Sequence, residues 1–185
     1  MDETKEKETN EQRLKRLVAR IVMIAAAVAL VAAFFLPWAS ANDEYRELAS
    51  AAPDALLYEP TGLTASDAAD LSLFDYAQVY GSMSGTGWEL YMGIMYAALE
   101  VSIITLALAA FGKPIGAGVF GILTLALSRL LVWDFGDRGV LPNSTHDWGI
   151  APMIYVLAAV VLIAAAVWLL AMKRQAKKAA PKADA

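Results

Sequence analysis

The chain has 185 residues, of which 58% are hydrophobic and 18% charged, with a mean hydropathy of +0.49 and a formal net charge of −4. Such a composition is too apolar for an ordinary soluble domain of this size, so a lipid bilayer is the expected solvent and the expected first partner. The absence of cysteine removes disulfides, thiolate metal sites and iron–sulfur clusters, and the single His146 removes paired haem ligands and a multi-histidine di-iron set. No nucleic-acid surface is expected from basic residues concentrated in two tails, and no cofactor is expected either.

Residues 1–16 read as a charged tail, followed by an apolar run at 17–36 with no charge between Arg20 and Asp43. At 1.5 Å per residue that run suffices for a hydrocarbon core of about 30 Å. Pro37 ends it. The A-x-A pattern Ala39-Ser40-Ala41, after a basic start and an apolar stretch, also fits a cleaved signal peptide. Retention is favoured by the length of the run, the long mixed-charge tail before it and the bulk of Trp38.

Residues 37–90 form a long, acidic outer loop. Within it Ser66-Asp67, followed by Ala68, Ala69, Leu71, Phe74 and Ala77, predicts a capped, partly apolar helix lying over the bundle, and Gly81 to Gly87 predicts a flexible link. Two further runs, 91–111 and 115–133, are separated only by the turn at 112–114, which predicts an antiparallel hairpin. A short loop at 134–149 leads to a fourth run at 150–172, and 173–185 is a basic tail suited to anionic headgroups. Pro114 and Pro152 stand in opening helical turns, where a missing N–H costs little.

Lysine and arginine set the orientation. They precede the first run, occupy the turn as Lys113 and follow the fourth run, whereas the two other loops hold only Arg46 and Arg138. By the positive-inside rule both termini and the turn are cytoplasmic. Trp38, Trp88, Trp133 and Trp148 fall at the outer ends of four different runs and read as interfacial anchors. The expected fold is therefore an all-α integral membrane protein: a four-transmembrane-helix bundle, both termini cytoplasmic, with a long, partly helical outer loop.

Glu100 and Arg129 are the two charges well inside these runs, and they mark a candidate intramembrane polar site. A mid-span carboxyl is expected to turn away from lipid. It shares a helical face with Gly93, Ala97, Ile104 and Ala107, and that face is small enough for another helix to approach. Thr124 and Ser128 on the next run are candidate hydrogen-bond partners for Glu100, and Arg129 is a candidate ion-pair partner within about one turn. The alternative for Arg129 is to snorkel towards Trp133. A divalent-cation site at His146, Asp147, Asp134 and Asp137 is a low-specificity pattern, and Asp134-Phe135-Gly136 lacks the companions of a kinase triplet.

Phe35-Leu36-Pro37-Trp38 and Ser72-Leu73-Phe74-Asp75 resemble segments of uncharacterised small bacterial membrane proteins with four spans, which have a Leu-Pro-Trp exit and a Ser-x-Phe-Asp segment in a long first outer loop. The resemblance implies a bacterial inner-membrane location and no particular activity. The outline is also similar to claudins and tetraspanins, whose loop cysteines are missing here. The function expected is that of a non-enzymatic structural or interaction protein, touching lipid and other membrane or envelope proteins. The alternative is a small transporter, channel or transport accessory built on Glu100 and Arg129.

Overall fold

In the computed structural model, residues 3–179 are described, with side chains from Asn10 to Gln175. The elements in chain order are α1 (Glu3–Ala32), β1 (Pro37–Ala41), α2 (Asp43–Ala51), β2 (Leu56–Tyr58), β3 (Leu63–Thr64), a 3-10 turn (Asp67–Ala69), β4 (Asp70–Ser72), α3 (Leu73–Ser82), α4 (Thr86–Ala110), α5 (Pro114–Asp137), β5 (His146–Trp148) and α6 (Ala151–Ala179). The protein is mostly helical, as expected, but it also contains strands, which the all-α expectation did not include.

Among the described residues, three helices are long and apolar enough to cross a membrane: α4, α5 and the part of α6 up to Gln175. α1 differs because its helix stops at Ala32 rather than running to Leu36, so its last 18 residues still include Lys15, Arg16 and Arg20. The cause lies just downstream. Pro37 biases Leu36 towards extended backbone, and the segment is then drawn into a sheet instead of completing the helix.

α1 packs on α6, α6 on α5, α5 on α4 and α4 back on α1, which closes a ring of four around one core. Facing positions are mostly small or unbranched: Met23, Ala27 and Leu30 from α1, Met95 and Ala98 from α4, Ala117 and Leu131 from α5, and Ala159 and Leu162 from α6. Small residues let the backbones come close. The dense van der Waals packing that results is what holds helices together where apolar burial itself gives little advantage.

Two helices end in the same device. Gly112, at φ +65°, follows α4, and the amides of Lys113 and Gly112 bond back to Leu108 and Ala109. Gly139, also at φ +65°, follows α5, with Val140 and Gly139 bonding to Phe135 and Gly136. Glycine enters this left-handed region without a Cβ clash, and each turn satisfies helix carbonyls that would otherwise lack partners. The first of these turns makes the α4–α5 hairpin that the sequence predicts.

At one end of the bundle, β1 is the middle strand of a three-stranded antiparallel sheet in the order β4-β1-β5. Pro37 stands opposite Ser72, and Ala39 opposite both Leu71 and Trp148. β2 and β3 pair in a separate hairpin. The helix expected to start at Ser66 instead starts at Leu73. Ser72 caps it in a capping box, its amide donating to the Asp75 carboxylate at 2.8 Å while the Asp75 amide donates to its hydroxyl at 3.2 Å. The link expected at Gly81–Gly87 is correspondingly short, since α3 reaches Ser82 and α4 begins at Thr86.

Candidate functional site

The sheet and α3 form a cap, and its chemistry begins with Trp38. Expected at the lipid interface, this residue is fully buried. Its ring meets Phe135, Trp148 and Tyr155 edge-on, with centroids 6.1, 6.4 and 5.9 Å away. The reason is the strand: β1 lies in the middle of the sheet, and its register shifts between Pro37 and Ala39 so that Trp38 is the extra residue, leaving Trp38 buried together with its neighbour Ala39 and with Ala41. Trp88 and Trp133 are exposed, and Trp148, in β5, is half-buried.

Gly149 explains how β5 joins α6 so closely. A Cβ there would lie 2.2 Å from the Pro37 carbonyl oxygen, and the Gly149 amide donates to the Trp38 carbonyl at 2.8 Å. Only glycine fits that approach.

His146 is also part of the packing. Its Nε2 lies 2.8 Å from the Ala68 carbonyl and its Nδ1 2.9 Å from the Thr145 hydroxyl, and the ring stacks at a tilt on Tyr45. Both ring nitrogens are therefore engaged, and among the described residues no group of three His, Asp or Glu side chains is placed to hold a metal.

Two charge clusters brace the cap. Arg46 donates to Asp70 at 2.8 Å, and Ser40 donates to the same oxygen at 2.8 Å. Partial burial works against the Asp70 carboxylate, but these donors outweigh it and hold its pKa below the ordinary carboxylate range. Arg138, expected only as an outer-loop charge, is the more elaborate case. Its guanidinium lies 4.0 Å from the centre of the Tyr91 ring, donates to the Tyr80 hydroxyl at 3.0 Å and binds Asp134 through Nε at 3.0 Å. Burial opposes the charge, while the bonds to Asp134 and Tyr80 prevail and keep the group protonated beyond its usual range. The i,i+4 spacing of Asp134 and Arg138 was the signal in the sequence.

The expected intramembrane site is divided. Thr124 and Ser128 face the core and donate to carbonyls of their own helix, Phe120 at 3.0 Å and Leu125 at 2.9 Å. Ser102 and Thr105 do the same on α4. Glu100 and Arg129 are exposed on the outside of the bundle, away from those hydroxyls. The small face carrying Gly93, Glu100, Ile104 and Ala107 is likewise exposed rather than packed. The physical reason is that hydroxyls on a helix can satisfy themselves against the preceding turn and enter a core, whereas a charged group cannot.

Nor do the two charges meet. Glu100 follows Tyr96 by one turn, on the side where the Tyr96 ring packs against Phe34 of the α1 exit, with centroids 5.9 Å apart. Arg129 lies three turns beyond Gly118, on the side of α5 that faces Ala166 of α6. The opposite side of α5, where Gly116 meets Leu108, is the one turned to α4. Two residues from the core-facing Ala98 and Ser102, Glu100 thus points straight away from the bundle, while Arg129 stands on the α5–α6 edge of the ring.

At the far end of the bundle, Arg20 donates to the Ala110 carbonyl at 2.6 Å, and Arg16 reaches the Met172 carbonyl at 3.5 Å. A cation at the exposed carbonyls closing α4 satisfies a free acceptor and the negative end of the helix dipole together. A second apolar feature, a cavity of about 400 Å³, lies between α1 and α6 near this end, lined mainly by Leu14, Val18, Val22, Val161 and Trp168.

Fold and site together define a helical protein of the membrane class, with three helices able to cross a bilayer and a small mixed cap at one end. No protein-family model matches the chain, and comparison with curated proteins and with solved structures finds no match.

Proposed function

We propose that this chain is a four-span membrane protein with both termini on the cytoplasmic side and the cap outside, acting as a non-enzymatic structural or interaction protein of a bacterial inner membrane. The observation that carries the four-span reading is the alignment of α1 with α4. The contact of Arg20 with Ala110 and that of Phe34 with Tyr96 run the two helices antiparallel, residue for residue. The α1 helix covers about 18 Å from Arg20 to Ala32, a turn follows over 33–36, and β1 begins at Pro37. The aligned α4 is 25 residues and about 37 Å long, enough for a hydrocarbon core of roughly 30 Å, and α1 runs beside it.

Retention of the first span is supported by the sheet, because cleavage after Ala41 would remove its middle strand. The basic segments, all at the Arg20 end, support the orientation. A structural or interaction role is supported by a core filled with side chains whose hydroxyls bond to their own helices, and by the position of Glu100 and Arg129 outside that core. The transport alternative relied on those two residues lining a path through the bundle.

Reporter fusions and N-terminal sequencing test this reading. Fusions after Gly112 and Gln175 are expected to be active only with a cytoplasmic reporter, and those at Thr61 and Ser144 only with an exported one. A mature N-terminus at Asn42, or a turn at Gly112 reached from outside, would overturn it.

A further inference from the structure

Glu100 and Arg129 are exposed near the middle of α4 and in the outer half of α5, and neither has an ion-pair partner among the described residues. Glu100 lies ten residues, about 15 Å, from the Ala110 end of α4; Arg129 lies about 22 Å from the Pro114 end of the adjoining α5. Their height difference of about 7 Å is within reach of an extended arginine. One points straight out from α4 and the other lies on the α5–α6 side of α5, so one molecule, among its described residues, does not close the pair. Two molecules side by side can, because each face offers the charge that the other lacks.

We infer that this chain self-associates in the membrane head to tail, Glu100 of one copy pairing with Arg129 of the next. The inference rests on the spanning reading of α4 and α5 given above. Within hydrocarbon an isolated charge is costly, and pairing offsets part of the cost of both in one contact. Gly93 and Ala97 beside Glu100 let the neighbouring helix come close enough for a guanidinium to reach the carboxylate. Because the two faces of the contact differ, the arrangement is heterologous, and each added copy presents a fresh edge.

The chain contains no cysteine, which makes the test clean. Two differently tagged full-length versions, one with Ala97→Cys and one with Ala126→Cys, are co-expressed and oxidised in native membranes; these positions lie at nearly equal height beside Glu100 and Arg129. A mixed disulfide is expected, with its yield falling about tenfold in Glu100→Gln or Arg129→Gln, the change that corresponds to losing about 1.4 kcal/mol. Glu100→Arg combined with Arg129→Glu is expected to restore it. Protection of both cysteines from a membrane-impermeant maleimide without any mixed disulfide overturns the pairing and leaves the spans standing. A mixed disulfide indifferent to all the charge variants also overturns it. Labelling of Ala97→Cys by that reagent overturns the spanning reading, and the pairing with it.

Discussion

The two ends of this molecule are held together by different physics. At the capped end, strands, a capping box, an arginine clamp and a buried tryptophan join segments far apart in sequence through directional contacts. Through the bundle, the contacts are between alanines, glycines and leucines, and the hydroxyls present bond to their own helices. Water supplies the difference. Where backbone groups meet water, an irregular chain is tolerated if side chains fix it; in hydrocarbon every N–H and C=O must be satisfied within its own segment, which leaves helices packed on small faces.

The contrast makes the cap the place where single substitutions do the most damage. Trp38→Ala is expected to cost about 3–5 kcal/mol, because a fully buried aromatic leaves a cavity that its neighbours cannot fill. Protease resistance of the outer segment, measured on membranes from both sides, is the readout; resistance unchanged from the native protein would mean that the cap does not depend on its buried ring. Gly149→Ala comes next, at roughly 1–3 kcal/mol, since a Cβ 2.2 Å from the Pro37 oxygen forces the β5–α6 junction away from β1. Thermal unfolding followed by tryptophan fluorescence would reveal it.

Arg138→Gln removes the cation over Tyr91 and the bonds to Asp134 and Tyr80. About 1–2 kcal/mol is expected, and Arg138→Lys should recover only part of that, because a single ammonium cannot serve an aromatic face and two oxygens in one plane. The smallest effect belongs to Asp70. Its folded pKa is depressed, so its contribution is complete above the unfolded value of about 3.9 and is lost as pH falls through the folded value. A cap that loosens slightly more below pH 4 in the native protein than in Asp70→Asn fits this; identical acid profiles would remove Asp70 from the account.

The long apolar helices α4, α5 and α6 were legible in the sequence because apolar length and the Gly112-Lys113-Pro114 turn each speak for themselves, whereas α1 stops at Ala32, short of the expected Leu36. The cap was not, and Trp38 shows why. From the sequence it is an aromatic residue at the end of an apolar run, which is the description of an interfacial anchor; its burial depends on β5, whose strand character is three residues long. The two short segments that drew attention, Leu36-Pro37-Trp38 and Ser72-Leu73-Phe74-Asp75, turn out to be neighbours, with Pro37 across from Ser72. Their meeting is a matter of strand register. The polar site failed for another reason: helical spacing reports which residues share a face, but not whether that face looks inward. Glu100, Thr124, Ser128 and Arg129 needed the direction of each helix about its own axis, and that direction is set by neighbours such as Leu162 and Leu108.

The middle strand has a consequence for the timing of assembly. β1 is made early in synthesis, yet one of its two partners, β5, is translated roughly 110 residues later, after α4 and α5. During that interval the edge of β1 that β5 will take is unpaired, and Trp38 has neither Trp148 nor Tyr155 to pack against. A nascent chain arrested before residue 146 should therefore keep an open, protease-sensitive outer segment, and should close it only when the last helix enters the bilayer.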